Sequence, residues 1–178
     1  MMQGKSPLLL LALATLTLSG CEAMRPDDTL AGDVDAYNHT AKAINWFRVN
    51  GAGAPGMNAY GESGGACCIT YSRTWTPGLK ARVEWEADPN PYEIIPRKKN
   101  GFHEYEPEAY ARHVARYQHF VRTVDIPRYG PEGTCGITVH FLPCDQVEVT
   151  QSCHSPNHPD SLIKYPRKMK EPATCPRS

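Results

Sequence analysis

The chain has 178 residues, and its 19 basic and 19 acidic side chains give a formal net charge of +0 at pH 7. This length suits one domain with a hydrophobic core and is short for two. Nucleic-acid-binding proteins usually carry a basic surface, so the charge balance argues against nucleic acid as a partner.

The N-terminus has the three parts of a bacterial export signal. Lys5 gives a positive start, residues 8–18 form an uncharged and mostly apolar run, and small residues precede Cys21. Such a run fits a cleaved signal peptide, whereas a membrane-spanning helix needs about 20 apolar residues. We therefore predict that residues 1–20 are a signal peptide.

The four residues that end at Cys21, Leu18-Ser19-Gly20-Cys21, resemble the lipobox of bacterial lipoproteins. In those proteins the cysteine thiol carries diacylglycerol and the freed amine is acylated, commonly with palmitate. Several acyl chains on one residue hold a protein to a membrane more firmly than a single chain. We predict a periplasm-facing lipoprotein that begins at Cys21. Glu22 after the anchor favours the outer membrane over the inner one, by analogy with enteric sorting.

The first part of the mature chain is expected to connect the anchor to a single domain. Residues 21–35 are polar and predict a tether, and a β-rich domain is predicted over residues 36–160. Within that domain, residues 43–50 and 68–72 are weak strand candidates. The glycine-rich segment 51–65 between them predicts a surface loop.

Clearer strand patterns follow. Residues 81–87 alternate between apolar and charged side chains, and residues 146–150 alternate as well. Residues 136–142 form a β-rich apolar run. Alternation with a period of two is typical of half-buried strands. The expected core residues on these strands include Val83, Trp85, Val139 and Phe141.

One amphipathic helix is predicted after Pro107. Its expected apolar face recurs at helical spacing, and Pro127 ends the segment; the face consists of Tyr110, Val114, Tyr117 and Val121. Residues 161–178 are basic and rich in proline, which predicts an irregular tail. The predicted fold class is mainly β, an antiparallel sheet or sandwich with one helix, with α+β as the alternative.

Six cysteines remain beyond Cys21, and an even number in an exported chain predicts disulfides. They are Cys67, Cys68, Cys135, Cys144, Cys153 and Cys175. Adjacent cysteines rarely bridge each other, so Cys67 and Cys68 are expected to bond to different partners. Cys153 and Cys175 lie together in the polar C-terminal stretch and are the expected pair. That pairing leaves Cys135 and Cys144 for the adjacent two.

Three patterns imitate catalytic or metal sites. Ser63 lies in a Gly-x-Ser-x-Gly segment, but no strand–turn–helix context surrounds it. Glu84 and Glu86 imitate a glycosidase pair, yet they form the polar face of one predicted strand. The segment 153–158 offers Cys and His ligands, but Pro156 interrupts it and an oxidising compartment favours a disulfide. We therefore predict no enzyme activity, no metal site and no cofactor.

Seven segments between residues 37 and 159 stand in a specific order: Tyr37-Asn38-His39-Thr40, Phe47-Arg48-Val49-Asn50-Gly51, Gly64-Gly65-Ala66-Cys67-Cys68, Trp75-Thr76-Pro77-Gly78-Leu79, Val83-Glu84-Trp85, Ile126-Pro127-Arg128-Tyr129 and Val139-His140-Phe141-Leu142-Pro143. In these segments the chain resembles a family of small proteobacterial lipoproteins catalogued as a domain of unknown function. Members of that family resemble immunity proteins of type VI secretion phospholipase and lipase effectors. Cys144, Cys153 and Cys175 match no shared pattern.

The resemblance implies a binding protein that inhibits a lipase or phospholipase effector. The alternative is a structural or assembly lipoprotein of the cell envelope. For the first function we expect an interface with exposed aromatic or arginine side chains. The candidate residues are Tyr92, Arg97, Phe102 and Tyr105, together with the predicted loop 51–65.

Overall fold

The fold was obtained as a computed structural model that describes residues 28–99, 103–130, 135–151, 153–154, 158–161 and 164–176. These residues contain eight strands, one α-helix and a short 3₁₀ turn at Pro143–Asp145. The strands and helix are β1 (Thr29–Asn38), β2 (Ala43–Val49), β3 (Ala52–Met57), β4 (Glu62–Ser72), β5 (Lys80–Asp88), α1 (Pro107–Val114), β6 (Gln118–Asp125), β7 (Gly136–Leu142) and β8 (Gln146–Thr150).

The strands form two four-stranded sheets, with the orders β4-β1-β7-β8 and β3-β2-β5-β6. Neighbouring strands are antiparallel except for β1 and β7, which run parallel. Buried side chains of both sheets meet in one core. The prediction of a mainly β protein with one helix is therefore confirmed. Among the described residues, no helix combines the length and the apolar composition needed to span a bilayer.

Trp85 lies at the centre of this core. Its ring stacks on Phe120 of the same sheet at 5.1 Å and meets the edge of Phe141 of the facing sheet at 5.5 Å. The alternation on β5 is as predicted, because Val83 and Trp85 are buried. Val139 and Phe141 on β7 are buried as well. The expected core residues on β5 and β7 are confirmed.

The tether prediction needs a correction at its C-terminal half. Residues 29–35 belong to β1, which hydrogen-bonds to β4 on one side and to β7 on the other. Val34 is buried although its neighbours Asp33 and Asp35 are charged. The segment was predicted to be a tether because most of its side chains are polar. A strand needs apolar side chains only at alternate positions, so a mostly polar composition is compatible with a strand. Residues 21–27 lie outside the described part of the chain.

The predicted glycine-rich loop over 51–65 is wrong, since most of it belongs to β3 and β4. A side chain at Gly56 would overlap the carbonyl oxygens of Ile44 and Asn45, and one at Gly64 would overlap the Asp35 carboxylate. These glycines therefore allow close approach to a neighbouring strand, which is a known role of glycine within sheets.

The helix is shorter than predicted and ends at Val114. Val121, which was placed on the helix face, lies on β6 and is 45% exposed. β6 pairs along its whole length with β5, which places Phe120 opposite Trp85. The β-branched residues of β6 favour this extended pairing over another two turns of helix.

The predicted disulfide pairing is wrong. The structure joins Cys135 to Cys153 and Cys144 to Cys175, with Cα atoms 5.0 and 5.4 Å apart. Cys135 and Cys144 flank β7, so they lie at opposite ends of a seven-residue strand. The segment after β8 therefore supplies one cysteine to each end of β7, and Cys153 and Cys175 are kept apart.

Cys67 and Cys68 are paired with each other, contrary to the expectation that they bond to different partners. Both are exposed on β4, at the edge of its sheet. The other four cysteines that the structure describes are joined around β7, so none of these four is a partner for Cys67 or Cys68.

The C-terminal segment 164–176 has no helix or strand, as predicted, but it is bound to the domain. The Met169 backbone N–H donates to the His39 carbonyl oxygen at 2.9 Å. The Arg167 guanidinium donates to the Tyr60 carbonyl oxygen at 2.8 Å and forms an ion pair with Glu62 at 3.0 Å. With the Cys144–Cys175 bond, these contacts make the segment a strap across the domain.

Candidate functional site

The connection between β5 and α1 contains two paired segments, and together with the first turn of α1 we call it the aromatic arm, defined by the described residues 92–99 and 103–110. The Lys98 backbone N–H donates to the Glu104 carbonyl oxygen at 2.8 Å, and the Glu106 N–H donates to the Pro96 carbonyl oxygen at 2.8 Å. The Lys98 and Glu104 side chains also form an ion pair at 2.8 Å. These bonds hold the two sides of the arm together.

Three side chains of the arm form a stack. The Arg97 guanidinium lies 4.4 Å from the centre of the Tyr105 ring and donates to the Tyr105 hydroxyl at 3.2 Å. The Tyr105 ring stacks in turn on Tyr110, with centroids 5.4 Å apart and planes 2° from parallel. Cation–π and aromatic contacts of this kind restrict side chains that would otherwise move freely. Arg97 and Tyr105 are therefore held in place before any partner arrives.

The arm also carries the most exposed large apolar side chains described. Tyr92 is 74% exposed and Ile94 is 93% exposed. Sequence reasoning proposed Tyr92 but missed Ile94 and Tyr110. Two adjacent isoleucines, Ile94 and Ile95, are typical of a buried segment. Tyr110 was predicted to lie on the buried face of the helix. The exposure of these side chains depends on the tertiary structure and could not be predicted from the local sequence.

A cluster of charged groups fixes the base of the arm. His113 on α1 contacts two carboxylates, with Nε2 3.0 Å from Asp88 Oδ2 and Nδ1 2.6 Å from Glu93 Oε2. Arg116 also pairs with Glu93. The hydrogen bond from His113, followed by that from Arg116, lowers the pKa of Glu93. The arm is thereby tied to the end of β5 and to α1.

The structure brings together Arg97 and Tyr105, two of the four predicted contact residues, and their role in binding stays a prediction. Tyr92, Arg97 and Tyr105 all lie on the arm, whereas Phe102 falls outside the described residues. Cys21 falls outside them as well. The segment 51–65, which was the second candidate surface, is mostly strand rather than loop.

The patterns that imitate catalytic sites have structural partners. The Ser63 hydroxyl donates to the Pro55 carbonyl oxygen at 2.9 Å. Glu84 pairs with Arg82 at 2.8 Å, and Glu86 pairs with His119 at 2.7 Å. Each contact joins residues of the same strand or of nearby strands and is explained by the fold.

A buried histidine pair was not foreseen, since nothing in the spacing of His39 and His140 connects them. The parallel pairing of β1 with β7 brings them together, and His39 Nε2 lies 3.1 Å from His140 Nδ1. Both rings are almost fully buried, and the His140 ring also stacks on Tyr37. Both histidines lie in segments that carry the family resemblance, and this was the only feature of the sequence that could have drawn attention to them.

The strap determines which nitrogens of this pair carry protons. His39 Nδ1 lies 2.8 Å from the Pro166 carbonyl oxygen, which only accepts, so Nδ1 is the donor. His39 Nε2 then accepts from His140 Nδ1–H. Burial, followed by the nearby His39, lowers the pKa of His140 to about 4, and burial also lowers the pKa of His39. The two rings are therefore neutral near pH 7 and hold the strap to the sheet.

These shifts predict that acid destabilises the domain. As the pH falls below the ordinary histidine value of 6.5, the unfolded chain takes up a proton that folded His140 does not bind until about pH 4. Stability should therefore fall across this window by about 3 kcal/mol from His140 alone. Denaturant unfolding at several pH values measures it. His140→Gln should remove this part of the pH dependence, and an unchanged profile would contradict the assignment.

Comparison with known proteins gives one match. A family profile described as "Protein of unknown function (DUF3304)" matches residues 37–149, which is more than half of the chain. No curated protein and no solved structure matches. The matched range contains the aromatic arm and the histidine pair, and it ends before the strap.

Proposed function

We propose that this chain, a member of this family of proteins of unknown function, is a lipid-anchored periplasmic protein that binds and inhibits a secreted lipase or phospholipase effector. The class of effector comes from the resemblance to immunity proteins, and the binding surface comes from the residues of the arm. The aromatic arm is the observation that carries the proposal. Energetically dominant contact residues at interfaces are enriched in tyrosine, tryptophan and arginine. The arm presents Tyr92, Arg97 and Tyr105, with Ile94 beside them.

The bracing of the arm supports inhibition by a preformed surface. An inhibitor whose conformation changes little on binding loses less conformational entropy, and the smaller entropic cost gives a higher affinity. Here the Arg97–Tyr105–Tyr110 stack and the His113 cluster hold the arm before contact. Ile94 is exposed on this arm, so its side chain is suited to insertion into an apolar cleft. Lipases bind their substrates in such clefts.

The proposed anchor would hold the inhibitor where such an effector acts. A phospholipase attacks the membrane surface, and a lipoprotein attached through Cys21 stays at that surface. Confinement there raises the concentration of inhibitor that the enzyme meets.

Lipidation is tested by replacing the acylated residue. Cys21→Ala removes the thiol that carries diacylglycerol, so the product should be unprocessed or soluble. Membrane fractionation and mass spectrometry of the N-terminal peptide measure this. An unmodified N-terminus on soluble native protein would contradict the prediction.

The interface is tested by shortening the two most exposed side chains of the arm. Tyr92→Ala together with Ile94→Ala should weaken binding to the proposed lipase effector by at least about 30-fold, since the loss of even one energetically dominant contact costs about 2 kcal/mol or more. Titration calorimetry measures the loss.

The matched control is Val121→Ala, which shortens an exposed apolar side chain on β6, outside the arm. It should bind as the unaltered protein does. Equal affinity of the arm variant and the control would place the interface elsewhere. Absence of any complex, with an active lipase, would favour a structural or assembly lipoprotein.

A further inference from the structure

The segment after β8 carries two histidines and an aspartate that lie close together at the surface. It begins at Cys153, which the disulfide to Cys135 fixes beside the start of β7. His154 follows at once, and His158 and Asp160 lie a few residues further on. All three are exposed, and they fall outside the family match to residues 37–149.

The three side chains lie close together in the structure although they are not adjacent in the sequence. The rings of His154 and His158 stack with centroids 4.1 Å apart and planes 12° from parallel. Asp160 Oδ2 lies 3.8 Å from His158 Nδ1. One donor atom from each of the three lies within 4.8 Å of the other two.

A tight turn holds His158 and Asp160 beside each other. The Ser161 backbone N–H donates to the His158 carbonyl oxygen at 3.0 Å, and the Asp160 N–H points at His158 Nδ1 at 3.2 Å. Because a backbone N–H only donates, His158 Nδ1 is the nitrogen with the lone pair. In the metal-free protein this lone pair accepts the Asp160 N–H at 3.2 Å, so a metal bound at Nδ1 would replace that long hydrogen bond.

We propose that His154, His158 and Asp160 bind a late first-row divalent cation, with Zn²⁺ as the first candidate. Zinc bonds to imidazole nitrogen and carboxylate oxygen at about 2.0–2.2 Å, so its ligands lie roughly 4 Å apart at most. The three donors are close to this spacing, and exposed side chains can rotate to close the remaining gap. Water completes the coordination.

The chemical types of the three donor atoms favour some metals over others. Two imidazoles and one carboxylate suit zinc, copper and nickel, whereas calcium and magnesium prefer oxygen ligands alone. Cys153 is excluded because its sulfur is bonded to Cys135. The sequence analysis considered Cys153 with the two histidines and predicted no metal site, whereas the present proposal uses Asp160 in place of the cysteine. The second group of donors, Cys144, Glu171 and Cys175, has its sulfurs in a disulfide.

The test is zinc titration of the purified protein without a histidine tag and with its disulfides oxidised. We expect one zinc per chain. His158→Ala should weaken binding by more than about 100-fold, because loss of a direct ligand exceeds the 10–100-fold cost of losing a residue that only orients one. Asp160→Asn should weaken binding as well. Excess magnesium and calcium should not compete.

The matched control is His119→Ala. His119 is an exposed histidine that also contacts a carboxylate, Glu86, at 2.7 Å, but it has no second histidine beside it. This variant should bind zinc unchanged. A thermal unfolding scan without metal should be the same for all the variants, because the three proposed ligands are exposed. No zinc binding by the unaltered protein, or full binding by the His154→Ala, His158→Ala double variant, would overturn the proposal.

Discussion

Replacing Trp85 with alanine is expected to destabilise the domain by about 3–5 kcal/mol, the range typical of large aromatic residues removed from a core. Trp85 is 2% exposed and contacts aromatic rings of both sheets. Its loss would leave a cavity between Phe120 and Phe141 that the surrounding strands cannot close. Denaturant unfolding followed by circular dichroism measures the change.

Trp46→Ala is the control for this prediction. Trp46 lies on β2, next to β5, but it is only partly buried and contacts His119 and Arg48 at the surface. The same substitution there should cost clearly less. Equal losses at the two positions would contradict the placement of Trp85 at the centre of the core.

Removing the Cys144–Cys175 bond is expected to destabilise the protein by roughly 3–4 kcal/mol. The bond spans 31 positions of sequence, and in the chain-entropy model a closed loop of this length restricts the unfolded state by that amount. It should also loosen the strap. The Met169 N–H, which is bonded to the His39 carbonyl oxygen, should then exchange with solvent faster. Unfolding curves and hydrogen exchange of Cys144→Ser, Cys175→Ser measure both effects.

The adjacent pair gives the matched control. Cys67 and Cys68 are separated by one position, so a bond between them closes no loop in the unfolded chain. The Cys67→Ser, Cys68→Ser variant should therefore keep most of the stability and leave the Met169 amide protected. If this variant lost as much stability as the Cys144 and Cys175 variant, the disulfide account of the strap would be wrong.

Strands with strict alternation could be predicted from the sequence. The pattern at 81–87 identified the buried face of β5, because one face of that strand meets the core and the other meets solvent. The same logic failed at β6. There the apolar residues also fit a helical period, and only pairing with β5 decides between the two structures.

Contacts between distant segments could not be predicted. The histidine pair depends on the parallel pairing of β1 with β7, and its residues are 101 positions apart. The disulfide connectivity depends on the fold of the segment after β8, which places Cys153 beside Cys135 and Cys175 beside Cys144, and composition does not encode it. Three residues of the arm were proposed from the sequence because their side chains are typical of interfaces, and that proposal stays a prediction. The exposure of Ile94 depends on the tertiary structure and follows from no local pattern.

The most direct test of the proposed function is to produce the proposed effector, a lipase or phospholipase whose gene we expect beside that of this protein, in the periplasm with and without this protein. Cell viability and formation of a complex are then measured. We predict that the protein restores viability and purifies with the lipase. Ser63→Ala should protect equally well, because binding needs no nucleophile, whereas Tyr92→Ala with Ile94→Ala should protect poorly. Unchanged toxicity without a complex, with a lipase shown to be active, would contradict the account.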